Sequence, residues 1–312
     1  MKLLLAFAMV VVLAPLLAPY DPGRSFDGYP FAPPMRPRLL DGGTVRAPFA
    51  YALVPVDLIE RRYDADRTRR VDSFSGETPW FLLGSDPLGR DVLSRVMMGA
   101  RLSLGIALLA TLAALAIGGT LGALAAYSGG WIDTVVMRIA DFVIVLPAIY
   151  LVLALRGALP VALTTTQVFV ALVGVLSLVG WPTVARGVRG ILVVEREAEY
   201  AEAARAMGAG AARVIVRHLL PAASGFFVVQ ATLLVPAFVT AEATLSLVGL
   251  GFTPPAASWG MMLQDASSPG TLVAAPWLLA PALAVMVTVL AVHLAAHART
   301  KLRSPFFRTQ LF

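Results

Sequence analysis

Long, nearly uncharged apolar runs constrain this chain more than any other feature of its sequence. A helix needs about 20 apolar residues to cross the hydrocarbon core of a bilayer. Six runs approach or exceed that length, at about 3–19, 102–127, 134–155, 161–185, 222–245 and 272–296. Only 14% of the 312 residues are charged, whereas about a quarter are charged in a typical soluble domain. The sequence therefore predicts an all-α polytopic membrane protein with six transmembrane helices surrounded by membrane lipid.

The first run resembles a signal peptide, because Lys2 precedes a short apolar stretch. Proline follows both Ala14 and Ala18, however, and proline is poorly tolerated just after a cleaved bond. We therefore predict an uncleaved first transmembrane helix over 1–19. The polar residues that follow, 20–98, are predicted to form an extended extracytoplasmic segment that leads into the second helix.

Arginines indicate which side of the membrane each segment occupies. They concentrate between the fourth and fifth predicted spans, and basic residues recur in the tail at 299–312, as the positive-inside rule expects of cytoplasmic segments. Six spans then place both termini in the cytoplasm. The nine arginines from Arg24 to Arg70 conflict with this orientation, but the rule weakens in segments longer than about 60 residues. Acidic residues among those arginines predict a small folded lobe with local ion pairs.

The residue inventory excludes several kinds of site. Lys2 and Lys301 are the only lysines, whereas a phosphate-cradling P-loop needs a lysine directly after its glycines. The absence of cysteine excludes disulfides and cysteine-ligated metals. His293 and His297 lack the glutamate of a metalloprotease helix, so no metal site is predicted. Arginines that flank the spans explain the net charge of +6, so nucleic acid is not an expected partner.

The segment between the fourth and fifth spans has the composition of a short helical hairpin. Alanine, glutamate and arginine dominate from Glu195 to Met207 and favour a helix, which Gly208 and Gly210 then end. A second short helix is predicted over about 211–219, before Pro221 at the start of the fifth span.

One side of the first of these helices carries small side chains. Ala203, Ala204 and Met207 share it at helical spacing. Such a face fits insertion into a groove of another protein. A surface hairpin that only joins two spans is the alternative.

Two acidic residues fall within or near predicted spans, where charges are costly and often functional. Asp141 lies three residues after Arg138, so either an ion pair on one helix or a position in the translocation pathway is expected. Glu242 lies near the outer end of the fifth span and either lines the pathway or makes a structural contact.

Several blocks of sequence, in order, resemble one family. Glu202-Ala203-Ala204, three residues, Gly208 and then Leu220-Pro221 resemble the EAA loop of ABC-importer permeases, with His218 where the general motif has isoleucine. Further blocks resemble the second permease of dipeptide, oligopeptide and nickel importers, namely Gly84–Arg95, Gly129–Asp133, Gly180–Pro182 and Glu242–Gly251. The resemblance covers most of the chain.

The resemblance implies the six-helix fold of type I ABC-importer permeases, with the permease domain at 99–298, the coupling EAA loop at about 195–221 and a cytoplasmic tail at 299–312. In that family two permeases form the pore, two ATPase subunits use ATP and Mg²⁺, and an extracytoplasmic binding protein delivers the substrate. The chain is then a non-catalytic subunit of a bacterial inner membrane complex, with no cofactor of its own. The residues implied to couple to the ATPase are Tyr200, Glu202, Ala203, Ala204, Arg205, Gly208, Leu220 and Pro221.

Two other classes of protein are less consistent with the sequence. A self-sufficient secondary transporter typically has interrupted helices at matching positions of two repeats, and no such pair is evident. An intramembrane hydrolase needs a nucleophile with a base, and the spans contain no G-x-S-x-G motif. We therefore expect an importer of di- or oligopeptides or similar small solutes, although nickel and glycoside importers share this permease pattern.

Overall fold

The structure is a computed structural model that describes residues 9, 13–41, 44–58, 60–74, 76–147, 150, 154, 164–252 and 256–303. The α-helices are α1 (Val92–Ser128), α2 (Gly130–Val145), α3 (Thr165–Glu195), α4 (Glu199–Ala206), α5 (Ala211–Val214), α6 (Ser224–Leu247), α7 (Trp259–Asp265), α8 (Pro269–Ala274) and α9 (Ala280–Arg303). The strands are β1 (Arg38–Asp41), β2 (Thr44–Asp57) and β3 (Arg62–Val71).

Four described helical segments are long and apolar enough to cross a membrane. They are Val92–Ser128, Thr165–Glu195, Ala211–Leu247 and Pro276–Ala295, and they coincide with the second, fourth, fifth and sixth predicted spans. Most of the first predicted span lies outside the described residues, as does much of the third beyond Pro147. α2 has 16 residues, about 24 Å of helix, and only its residues 134–145 lie within the third predicted span.

The prediction of an all-α chain is wrong for the segment before α1, which contains an antiparallel sheet in the order β1-β2-β3. β2 and β3 pair from Ala50 opposite Val71 to Asp57 opposite Arg62, with two register shifts. β2 contains three valines, one threonine and two aromatic residues, which favour extended backbone. The predicted folded lobe is therefore present, and it is built around an antiparallel β-sheet.

Aromatic side chains form the core of this lobe. Tyr20, Phe26, Trp80 and Phe81 are buried together with Met35. The backbone N–H of Trp80 donates to the hydroxyl of Tyr20 at 2.8 Å, which joins the two ends of the lobe. The chain divides into two compact units, and the lobe belongs to the unit that combines residues up to Gly105 with Ala243–Val287.

A buried ionic cluster lies in the same unit, at the start of α1. Asp86 accepts from Arg90 Nε at 2.6 Å and from Arg95 Nη1, and both ion pairs are almost fully buried. Arg95 Nη1 also lies 3.3 Å from the carboxylate of Asp265, at the end of α7. Asp91 accepts from the backbone N–H of Ser94 at 2.7 Å, and burial raises the pKa of its carboxyl. The Gly84–Arg95 block therefore holds the N-terminal end of α1 against α7.

The other unit contains Ile106–Glu242 and is held by close helix contacts. A side chain at Gly118 would meet the backbone of Trp181 at 2.6 Å, and one at Gly122 would meet the carbonyl of Ala185 at 2.4 Å. Glycines at i and i+4 therefore let α1 and α3 approach closely, as small-residue interfaces do in membranes.

Candidate functional site

The hairpin that follows α3 has its first helix at α4, four residues later than the composition indicated. The reason is that α3 continues to Glu195 and a turn at 196–198 separates the two helices. Glu199 and Glu202 lie in the first turn of α4 and Arg205 in its last turn, which complements the helix dipole. The helix ends at Met207, and Gly208 follows with φ of 83°.

The second short helix, predicted over about 211–219, does not stop before Pro221, because helical backbone continues through that proline. A single turn of α5 passes into a π-helix at Ile215–Leu219, in which Leu220 N–H donates to Ile215 O, and then into a 3₁₀-helix at Leu220–Ala223. Pro221 occupies an early position of that 3₁₀ turn, where its missing N–H costs no hydrogen bond. The backbone therefore changes helix type three times before α6, and such π-helical turns occur frequently at functional sites.

The two faces of α4 differ in exposure. Ala201 and Ala204 are buried in a cluster with Leu192 and Val214 from the neighbouring helices. Glu202, Ala203 and Met207 are exposed, Met207 at 81%. The expectation that Ala203, Ala204 and Met207 share one exposed face is therefore wrong for Ala204, which is 2% exposed and attaches α4 to the helices beneath it.

Arg196 connects α4 to the membrane helices, a role that its sequence neighbours do not reveal. Its Nη1 donates to the carbonyl of Ala126 at 2.8 Å, near the end of α1. Its own carbonyl accepts from Arg205 Nη2 at 3.0 Å, so the arginine of α4 is held by the residue that directly follows α3. The position of Arg196 directly after a long apolar helix was the only signal in the sequence.

Tyr200 lies at the exposed start of α4. Its hydroxyl donates to Glu195 Oε2 at 2.5 Å, and this hydrogen bond to a carboxylate raises the pKa of Tyr200 to about 12. The phenol therefore stays neutral at physiological pH and connects α4 to the last residue of α3.

The two acidic residues expected near the pathway lie in different surroundings. Asp141 is half exposed and pairs with Arg186 of α3, so the expected ion pair with Arg138 is not the one that forms. Glu242 is fully buried within α6. The two carboxylates therefore differ in burial and in the helix that carries them.

Comparisons with known proteins agree with this architecture. The family described as binding-protein-dependent transport system inner membrane component matches residues 118–300, which include α4. A putative peptide permease protein of Brucella ovis is 40% identical over 246 residues, which cover 78% of each chain. The glutathione transport system permease protein of Pectobacterium atrosepticum is 37% identical over 247 residues, 79% of this chain and 77% of that protein. The inward-facing methionine ABC transporter MetNI has a similar fold, with a TM-score of 0.51 and 21% identity over 67% of this chain and 96% of that one.

Proposed function

We propose how the α4 hairpin serves transport from the premise that this chain belongs to the family of binding-protein-dependent transport system inner membrane components. The chain is a multi-pass inner membrane protein and a non-catalytic permease subunit of an ABC importer, a system that also includes an ATPase and a binding protein. In our proposal α4 is the coupling helix that docks into the ATPase.

The proposal rests on the exposed face of α4. Glu202, Ala203 and Met207 point away from the bundle, while Ala201 and Ala204 fix the helix to it. A helix with one free face and one anchored face can receive a force from a partner and pass it to the membrane helices. Arg205 supports the same role, because it ties α4 to the end of α3 through Arg196.

The rest of the assembly follows from the same proposal. A second homologous permease completes the pore, two ATPase subunits bind the cytoplasmic hairpins, and these partners use the ATP and Mg²⁺. The permease domain then covers 99–298 with its coupling loop at about 195–221, and both termini lie in the cytoplasm. The remaining ATPase-coupling residues are Tyr200, Gly208, Leu220 and Pro221, which shape the two ends of the hairpin.

The proposed substrate is a peptide. The identity of this chain to a putative peptide permease and to a glutathione permease supports that class, since glutathione is a tripeptide. Asp141 and Glu242 are proposed to serve the translocation pathway.

Affinity purification of the tagged chain from gently solubilised membranes tests the proposal. We expect an ATPase with a Walker lysine and a second permease to copurify. Recovery of the chain alone, in a detergent that keeps related complexes intact, would contradict the proposed docking of α4 into an ATPase.

The variant Glu202→Lys places a positive charge on the exposed face of α4 and should reduce ATPase recovery by about tenfold, which corresponds to about 1.4 kcal/mol. Glu77→Lys makes the same charge change at an exposed position of the lobe and serves as its control. Equal recovery with both variants would show that Glu202 is not at the ATPase interface.

A further inference from the structure

One line of exposed side chains runs along α2. Its members are Trp131, Arg138, Phe142 and Val145, at i, i+7, i+11 and i+14, a spacing that places them on one side of the helix. Trp131, Phe142 and Val145 are 75%, 66% and 79% exposed, and Arg138 is exposed as well. The line therefore places one charged group among large apolar side chains that the described part of the chain leaves uncovered.

The two aspartates of α2 are already paired with arginines of α3. Arg189 Nε donates to Asp133 Oδ1 at 2.5 Å, and Arg186 pairs with Asp141. Arg138 lies between these two aspartates along α2 and forms no ion pair with any residue that the structure describes. Three arginines therefore face two aspartates here, and the positive charge of Arg138 is the one left unbalanced.

The neighbouring surface of α3 leaves room near the first turns of α2. Gly190 is exposed, and a Cβ there would meet no atom within 4 Å. The pairing of Asp133 with Arg189 and of Asp141 with Arg186 shows that α2 and α3 run antiparallel. Gly190 therefore lies level with the start of α2, and side chains of an α-helix, including Arg138, tilt toward that N-terminal end.

The start of α2 lies on the same side of the membrane as α4. α2 begins directly after the end of α1, and Arg196, between α3 and α4, donates to Ala126 near that end. Exposed tryptophan is typical of the membrane–water interface, so Trp131 marks this boundary. Arg138 lies about 10 Å further along the helix, and a long arginine side chain at such a depth extends its guanidinium back to the interface.

We propose that Arg138 binds the phosphate of an anionic phospholipid headgroup, in the leaflet on the side of α4. Its guanidinium donates charge-assisted hydrogen bonds to the phosphate oxygens, and the open surface at Gly190 leaves room for the headgroup. Phe142 and Val145 lie deeper along the same side of α2 and contact the acyl chains. A soluble phosphate would leave these apolar side chains uncovered, so the line of side chains fits a lipid.

Photo-crosslinking in the reconstituted complex tests this lipid site. Vesicles of phosphatidylcholine contain a minor fraction of phosphatidylglycerol that carries a photoreactive group near the top of one acyl chain, and mass spectrometry measures the label on α2. Arg138→Gln removes the charge, whereas Arg138→Lys retains it. Arg217→Gln removes an exposed arginine of the α4 hairpin and is the matched control.

We expect Arg138→Gln to lower the label on α2 about fivefold, which corresponds to about 1 kcal/mol for one arginine at an anionic membrane surface. Arg138→Lys should keep most of the label, because lysine also binds phosphate as a point charge. Arg217→Gln should leave the label unchanged. Unlabelled phosphatidylglycerol should compete for the site, whereas unlabelled phosphatidylcholine and inorganic phosphate should not.

Equal label on the original chain and on Arg138→Gln would overturn the inference. Competition by inorganic phosphate would also overturn it and would assign Arg138 to a soluble anion. Absence of label on α2, in complexes that retain their ATPase and transport peptide, would mean that protein rather than lipid covers this side of α2. Loss of the ATPase would contradict the proposed docking of α4, and the label on α2 would still report the lipid contact separately.

Discussion

At the scale of single residues, the coupling hairpin depends on the backbone of Gly208. Its φ of 83° lies in the left-handed region, and a Cβ there would meet no atom within 4 Å. Glycine is therefore needed at position 208 because of the backbone conformation, and a larger side chain would have room there. Gly210, two residues later, also has open space around it but has φ of −67°, which any residue adopts.

These two glycines allow a matched prediction. Gly208→Ala should cost about 1–2 kcal/mol, because alanine is disfavoured in the left-handed region, and should reduce peptide uptake several-fold at normal membrane abundance. Gly210→Ala should leave uptake unchanged. Uptake of labelled peptide into cells, normalised to membrane abundance, measures both. Equal uptake by the two variants would mean that the turn at Gly208 does not set the position of α4.

Sequence reasoning at this scale succeeded where the signal was local. Gly208 was predicted to end a helix because glycine is common just after the last residue of a helix. The partner of Asp141 was predicted as Arg138, because spacing along one helix reveals only neighbours on that helix. The actual partner, Arg186, lies 45 residues away on α3. A contact between helices depends on their packing, which local spacing does not encode.

At the scale of elements, Arg196 joins three helices. It follows α3, donates to Ala126 in the last turns of α1 and accepts from Arg205 of α4. The carbonyls at the end of α1 carry partial negative charge, so the guanidinium also complements the dipole of that helix.

Arg196→Ala should therefore uncouple transport from ATP hydrolysis. Loss of a hydrogen bond to a charged group removes about 1.5–3 kcal/mol, so we expect uptake to fall at least tenfold while the ATPase still copurifies. Arg217→Ala removes an exposed arginine of the same hairpin and should leave uptake unchanged. If Arg196→Ala instead abolishes ATPase recovery, the residue supports docking rather than transmission.

Two neighbouring aspartates of the ionic cluster at the start of α1 have different roles. Asp86 balances two buried arginines, whereas the Asp91 carboxyl has a raised pKa, and its Oδ1 has no hydrogen-bond partner among the described residues. Asp86→Asn should cost about 3–5 kcal/mol, because it leaves two buried guanidinium groups with only the partly exposed carboxylate of Asp265 to balance them. Asp91→Asn keeps the acceptor for Ser94 and should cost less than about 1 kcal/mol. Thermal unfolding of the purified complex measures both, and equal losses would contradict this division.

The strands of the lobe were not predicted as strands from the sequence. The lobe was predicted from its mixture of arginine and acidic residues, but β3 alternates poorly, since most of its side chains are exposed. A strand with little buried surface gives a weak period-2 signal. Its pairing with β2 depends on the aromatic core beneath the sheet, which includes Tyr20 and Trp80 from both ends of the lobe.

At the scale of the whole molecule, orientation depends on how many helices cross the membrane between the lobe and the coupling hairpin. The sequence predicts three crossings there, at 102–127, 134–155 and 161–185. Among the described residues, α1 and α3 are long enough to cross, and α2 supplies only the first part of the middle crossing, at 134–145. An odd number of crossings puts the lobe and α4 on opposite sides of the membrane, whereas an even number puts both on one side.

Two single-cysteine variants show whether the number of crossings between the lobe and α4 is odd or even. Thr68→Cys in β3 and Met207→Cys at the end of α4 are both exposed positions in a chain without native cysteine. With an impermeant maleimide, we expect Thr68→Cys to react in right-side-out vesicles and Met207→Cys only in inside-out vesicles. Detergent-permeabilised vesicles, in which both should react, control for reactivity. Reaction of both from one side would show that the chain does not complete its crossing after α2, and the nine arginines of the lobe would then obey the positive-inside rule.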